Sequence, residues 1–208
     1  MAWLQTQNPV TTAFIERNRA EGVAVDWEWV PLEAVSPQVL LGVLVGEDIE
    51  FFQHGGFSTA ELRAAVATAL ETGEPPRGAS TLTQQLAKNL WLSPERSAWR
   101  KLREAVLTWK LEHALGKRRI LELYVNVVEF GPGIFGVGAA ARRYYGTAPL
   151  WLTPDQGAEL AASLPRPSSW NPTATSDAYL ERVALIRGRM GRATFLWRHL
   201  EPLYPVTP

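Results

Sequence analysis

"SPQVLLGVLVGEDIEFFQHGGFS", residues Ser36 to Ser58, reads as a buried helix that ends in two acids. Ser36 suits a helix N-cap and Pro37 the first helical position, where its missing N–H costs nothing. The run "VLLGVLV" from Val39 to Val45 is apolar on every side, so the helix belongs inside a core. Glu47 and Asp48 then fall near its C-terminal end. An ionised carboxylate buried alone costs several kcal/mol, so each must be hydrogen-bonded, paired or functional.

Working outward, the chain reads as mainly helical. "STAELRAAVATALETG" offers a capping box of Ser58 with Glu61 and a stop at Gly73, and Thr81 with Gln84 offers a second box opening "STLTQQLAKNLWL". A longer helix is predicted from about Ser97 to Leu115, ended by Gly116, followed by a short one in "KRRILELYVNVV". "FGPGIFGVG" reads as a glycine-rich loop, "AAARRYYG" as a short helix, "TPDQGAELAASL" as a helix capped by Thr153 and Gln156, and "SDAYLERVALIRGRM" as a last helix. Only "VAVDWEWV" alternates like a strand. No internal repeat or low-complexity tract is present.

Composition bounds the function classes. At 208 residues, with no break in composition, one folding unit is expected. Twenty-one basic residues balance 21 acidic ones, so global charge argues for neither nucleic acid nor an acidic partner. Absence of cysteine removes disulfides and thiolate metal sites, and His54, His113 and His199 lack ligand spacing. The most apolar run is far short of the roughly 20 residues that span a bilayer, and "MAWLQTQNPV" lacks the pattern of a signal peptide. Nine tryptophans are many for this length. Core packing is expected to explain most of them, with a share left for a lipid-facing surface.

Chemistry concentrates between residues 47 and 131. On the helix starting near Ser80, the residues Thr81, Gln84, Gln85 and Lys88 share one face, with Asn89 beside them, while Leu82, Leu86 and Leu90 share another. Solvated faces usually mix charges, whereas this strip is uniformly hydrogen-bonding and suits a polyhydroxylated ligand. From Arg96 to Arg119 there are eight basic residues, Arg96, Arg100, Lys101, Arg103, Lys110, Lys117, Arg118 and Arg119, against the acids Glu104 and Glu112. Arg100 and Lys101 precede Glu104 by four and three positions, which places all three on one helical face. Alone that is an ordinary surface ion pair worth under about 1 kcal/mol. Beside the polar strip it suggests a phosphate site with an acid held among cations.

Four ordered blocks carry a resemblance. "EDIEFFQHGG" fits E-D-x-x-F-x-x-H-x-G at Glu47, Asp48, Phe51, His54 and Gly56; "GASTLTQQLAKN" fits G-x-S-T-x-x-Q-Q-x-x-K-N; "RKLRE" fits R-K-x-x-E; "ILELYVNVVEFG" fits I-L-E-x-Y-x-N-x-x-x-x-G. In this order they resemble the glycosyltransferase family 51 domain of the peptidoglycan glycosyltransferases, over roughly residues 30 to 190. "GIFGVGAAARRYYG" and "AELAASLPRPSSWNP", with nothing after residue 208, are similar to its monofunctional biosynthetic peptidoglycan transglycosylase branch. Ala79, Gly116 and Tyr145 depart from common choices in the family without touching any of the candidate site residues.

The resemblance implies a mainly α, lysozyme-like fold with a large head and a smaller membrane-facing jaw. Residues 1–29 would be an N-terminal extension following a missing membrane anchor, and residues 30–208 the glycosyltransferase domain. The implied reaction polymerises lipid II into β-1,4-linked glycan by an inverting displacement that releases undecaprenyl pyrophosphate. By family position Glu47 is the base and Glu104 the second acid of the cleft, orienting the cations or helping to hold a divalent ion. Lys88, Arg96, Arg100 and Lys101 would neutralise the pyrophosphate, with Ser80, Thr81, Gln84, Gln85 and Asn89 in the substrate strip. Asp48, Phe51, His54, Tyr124 and Asn126 would support them. No cofactor is required by the sequence, although Mg or Mn at the pyrophosphate fits the chemistry. Implied partners are lipid II, the growing lipid-linked glycan, a membrane surface and cell-wall synthesis and division proteins, with no nucleic acid. The implied location is the bacterial inner membrane, catalytic domain on the periplasmic side. Two other readings stand beside this one: a lysozyme-like peptidoglycan-cleaving enzyme, which would not need the basic helix, and a membrane-associated scaffold.

Overall fold

The computed structural model describes residues 1–59, 63, 67, 80–93 and 97–204. The helix expected from Ser58 to Gly73, and with it most of that capping box, lies outside the described residues, as does Arg96. What is described is mainly helical: α1 (Ala13–Ala20), α2 (Pro37–Glu47), α3 (Leu82–Trp91), α4 (Ala98–Ala114), α5 (Lys117–Val127), α6 (Gly136–Tyr145), α7 (Pro154–Ser163), α8 (Asp177–Arg192) and α9 (Trp197–Leu200). Among the described residues no helix is long and apolar enough to cross a membrane.

The core is built around α2. Val39, Leu40, Leu41, Val43, Leu44 and Val45 are all buried, each worth about 1.5–3 kcal/mol relative to exposure. α2 packs on α7 and α8, which also pack on each other; α3 packs on α1, α4 and α5, and α5 on α6. The α2–α7 contact is close because neither helix has a side chain at the crossing. A Cβ on Gly42 would stand 2.8 Å from the Gly157 carbonyl oxygen, and one on Gly157 would stand 2.8 Å from that of Gln38. Capping follows the sequence: Ser36 accepts from the Gln38 N–H, and Thr81 with Gln84 and Thr153 with Gln156 form reciprocal boxes.

Two features differ from the sequence reading. "FGPGIFGVG" is not a loop but a hairpin, β2 (Glu129–Gly131) antiparallel to β3 (Ile134–Phe135), and α6 begins directly after it at Gly136. Gly133 in the left-handed region makes the tight reversal. The expected strand near Val23 shortens to β1 (Asp26–Trp27), which pairs parallel to β3 with Asp26 opposite Ile134. Five of the nine tryptophans, Trp27, Trp29, Trp91, Trp170 and Trp197, pack on the core, as expected for most of them, and four, Trp3, Trp99, Trp109 and Trp151, are exposed.

Asn126 stitches the strand segment to α5. Its Oδ1 accepts from the Val30 N–H at 2.8 Å, its Nδ2 donates to the carbonyls of Val30 and Glu122, and its own carbonyl accepts from Trp27 Nε1 at 2.7 Å. Residues 1–29 lie on the same body, with Leu4 and Ile15 buried.

Candidate active site

The two acids that end α2 point to different tasks. Asp48 is buried, and its Oδ2 accepts the Leu82 N–H at 2.9 Å, one of the orphan donors at the start of α3. Its Oδ1 meets His54 Nε2 at 2.8 Å. Because the Gly56 N–H donates to His54 Nδ1 at 3.1 Å, Nδ1 is the acceptor and Nε2 carries the proton given to Asp48. Gly56 has φ +92°, and a Cβ there would meet Thr108 and Glu112 at 2.8 and 2.9 Å. Asp48 thus ties the end of α2 to the start of α3 and fixes how Glu47 faces that helix. Phe51 is fully buried beneath the Lys117 ammonium, 4.4 Å from its ring centroid.

Glu47 is held at both oxygens. Oε2 accepts from Gln85 Nε2 at 2.9 Å and Oε1 from Arg182 Nη2 at 2.8 Å. Gln85 is oriented in turn by Tyr124, whose hydroxyl donates to Gln85 Oε1 at 2.9 Å. Burial pushes Glu47 above the ordinary carboxylate value, an effect that outweighs the lowering by Gln85, Arg182 and Lys88. Burial also holds Tyr124 well above its usual range, so it stays a neutral donor. Two hydrogen bonds leave a carboxylate lone pairs to spare, so Glu47 can still take a proton.

A cleft of about 410 Å³ opens on this carboxylate, lined by Gly46, Glu47, Ser80, Gln85, Lys88, Leu164, Pro165 and Arg182. That is room for a sugar or phosphate group. Among the described residues the Lys88 ammonium has no hydrogen-bond or carboxylate partner; it lies over the Phe14 ring, 5.6 Å from its centroid. Burial lowers its pKa, against the pull of Glu104. Glu104 itself is buried on α4, its Oε2 bonded to Arg100 Nη1 at 2.7 Å and its Oε1 to Lys101 Nζ. Lys101 also reaches Ser80 Oγ at 3.5 Å, which joins this ion cluster to the rim of the cleft.

The polar strip on α3 divides in two. Gln85 and Lys88 face the cleft, whereas Thr81, Gln84 and Asn89 are buried. Thr81 and Gln84 use their polar atoms in the capping box, Thr81 also donates to the Gly56 carbonyl at 2.8 Å, and Asn89 donates to the Gln85 carbonyl. A second cavity of about 460 Å³ borders Glu47 on the α8 side, lined by Val45, Gly46, Asp48, Ile49, Arg189, Arg192, Ala193 and Phe195 as well. The sequence reading did not single out Arg182, Arg189 or Arg192. The available signal was register: Arg182 sits on the stripe of the buried Tyr179, Ile186 and Met190, where an apolar residue would be ordinary.

Both oxygens of Glu104 are taken by cations, and among the described residues no three acidic or histidine side chains come together to hold a metal. The described side chains around the cleft therefore do not by themselves make a ligand set for a divalent ion.

A family model described as Transglycosylase matches residues 16–191. The biosynthetic peptidoglycan transglycosylase of Alcanivorax borkumensis is 42% identical over 187 residues, covering 90% of this chain and 76% of its own length. The protein of the same name from Azoarcus sp. is 42% identical over 199 residues, 93% of this chain and 86% of its own. That from Thiobacillus denitrificans is 41% identical over 195 residues, 91% and 84% respectively.

Proposed function

The chain belongs to the transglycosylase family and is a peptidoglycan glycosyltransferase, and from that premise we propose that it polymerises lipid II with Glu47 as the base. A sugar hydroxyl is a weak nucleophile until its proton is taken, and Glu47, held by Gln85 and Arg182 with lone pairs to spare at the cleft, is placed for that. The acceptor 4-hydroxyl attacks the anomeric carbon of the donor while its proton passes to Glu47. The bond from that carbon to the pyrophosphate oxygen breaks on the opposite face, its electron pair leaving with the pyrophosphate, so an α-linked donor gives a β-1,4 product. The growing charge needs cations rather than a proton. Lys88, uncommitted at the cleft, supplies the first, and Arg100 and Lys101, held by Glu104, the next. Two substrates must meet at the base, and Glu47 borders two cavities.

The observation that carries this reading is a half-buried glutamate at the end of α2 and, without a hydrogen-bond or carboxylate partner among the described residues, a lysine on α3, both lining one cleft. Cleavage of finished glycan is the lesser reading, since a neutral leaving sugar gives the cations nothing to stabilise. The test is incubation of the purified chain with lipid II and, separately, with finished peptidoglycan. Longer strands support the proposal, and soluble muropeptides would overturn it. Glu47→Gln, which keeps shape but cannot take a proton, is expected to lose roughly 10²-fold to 10⁴-fold in polymerisation rate.

We further propose that the chain works at the membrane of the cell envelope, on the periplasmic side of the inner membrane. Support comes from α4, where Trp99, Leu102, Val106 and Trp109 are exposed on one stripe beside Arg103 and Lys110. Apolar rings flanked by cations suit an anionic lipid surface, and a lipid-linked substrate has to be met there.

A further inference from the structure

Arg182 occupies a position on α8 where the neighbouring stripe residues Tyr179, Ile186 and Met190 are buried. A guanidinium there is costly unless paired, and its pairing is one-sided. Nη2 donates to Glu47 Oε1 at 2.8 Å and to the Gly46 carbonyl at 3.2 Å, whereas Nε is buried without a partner among the described residues.

We propose that Arg182 is a positioning residue of the transfer reaction, clamping Glu47 Oε1 to the end of α2 so that the free lone pairs of the carboxylate face the acceptor hydroxyl. The proposal rests on Glu47 being the base. Gln85, backed by Tyr124, holds the other oxygen, so the carboxylate cannot turn about its own axis. Both clamps favour the ionised form, Gln85 through its hydrogen bond and Arg182 through its hydrogen bond and its positive charge. The other titratable and charged groups around Glu47 are Lys88 on α3, Tyr124 on α5, Asp48 with His54 beyond the end of α2, and Arg189 and Arg192 further along α8. The Arg100, Lys101 and Glu104 cluster on α4 acts on Lys88. Among the described residues Arg182 is the sole cation in contact with the carboxylate.

Burial raises the pKa of Glu47 and Arg182 opposes it. Taking away the positive charge therefore moves the titration of Glu47 upward, and a base that must be ionised then loses activity at a higher pH. The experiment is the pH profile of kcat/KM for lipid II polymerisation by wild type, Arg182→Gln, Arg182→Lys and Glu47→Gln, with circular dichroism on each. In Arg182→Gln the acid limb is expected to rise by about one to three pH units, the usual effect of an opposite charge at contact. At neutral pH the fall in rate is roughly 10²-fold, carried by kcat rather than KM. Arg182→Lys is expected to bring the limb back toward wild type. An unmoved limb in a folded Arg182→Gln overturns the proposal, as does a raised KM with an unmoved limb, which would make Arg182 an anion ligand. Arg182 keeps 24% of its side chain exposed, so water can fill the vacated site; should the glutamine variant still unfold, Arg182→Lys decides, through lowered kcat at constant KM or, against the proposal, raised KM. Near wild-type polymerisation by Glu47→Gln would instead sink the assignment of the base, whatever Arg182 does.

Discussion

At Lys88 an ammonium has lost water without gaining a carboxylate in contact among the described residues, and burial lowers its pKa below the ordinary 10.5. Because the charged form is the one that meets a leaving pyrophosphate, activity is expected to fall on the alkaline side as Lys88 deprotonates. Arginine stays charged throughout, so Lys88→Arg should lose that alkaline limb while Lys88→Ala loses substrate affinity at every pH. An alkaline limb that persists in Lys88→Arg would assign it to another group. Glu104 is expected to act through its neighbours: Glu104→Gln frees Arg100 and Lys101 from a buried anchor, and steady-state kinetics should show a partial loss of kcat together with altered KM. At this scale the sequence was legible where partners are close along the chain. Arg100, Lys101 and Glu104 meet because i, i+3 and i, i+4 residues share a helix face. Arg182 reaches Glu47 across 135 positions, and nothing local announces such a contact.

Among the elements, α2 and α7 approach through Gly42 and Gly157. Gly157→Ala would drive a methyl group against the Gln38 carbonyl, a backbone atom that cannot swing aside, and is expected to cost roughly 1–3 kcal/mol. Since α2 carries Glu47 at its end, polymerisation should fall with it. Gly188, in the exposed interior of α8 with open space around it, is the opposite case: Gly188→Ala should stabilise by about 0.5–1 kcal/mol through the lower entropy of the unfolded chain. Chemical denaturation of the two variants checks both signs. Capped helices were readable because N-cap chemistry is local: Ser36, Thr81, Ser97 and Thr153 each start a helix where their side chains meet a first-turn N–H. The β2–β3 hairpin was not, because its glycines mark a turn equally well in a loop, and its strands are fixed by pairing with β1 a hundred positions away. The cap residue Asp48 was hidden likewise, since the helix it serves begins at Leu82.

For the molecule as a whole, balanced charge conceals an uneven surface. Trp99 and Trp109, 69% and 54% exposed, lie on α4 near the cations of the cleft rim. Burying such a ring in lipid is worth about 1.5–3 kcal/mol, so Trp99→Ser with Trp109→Ser should lower co-sedimentation with anionic liposomes at least roughly tenfold at low salt. Equal recovery of wild type in the supernatant with and without lipid would refute membrane docking by this face. Composition alone could not separate these rings from the five indoles that pack on the core edge, because the difference is which side of α4 meets α3.

The helix that bears Glu47 runs through the middle of the core with its apolar side chains enclosed on all sides. Its central amides are therefore reached by solvent through opening of the whole domain rather than by fraying, and should be among the slowest to exchange with deuterium. A base carried on such a helix is lost only when the fold is lost, so on heating, catalytic activity and helical structure should disappear in one transition, with no lower-temperature phase in which the protein is folded but already unable to react.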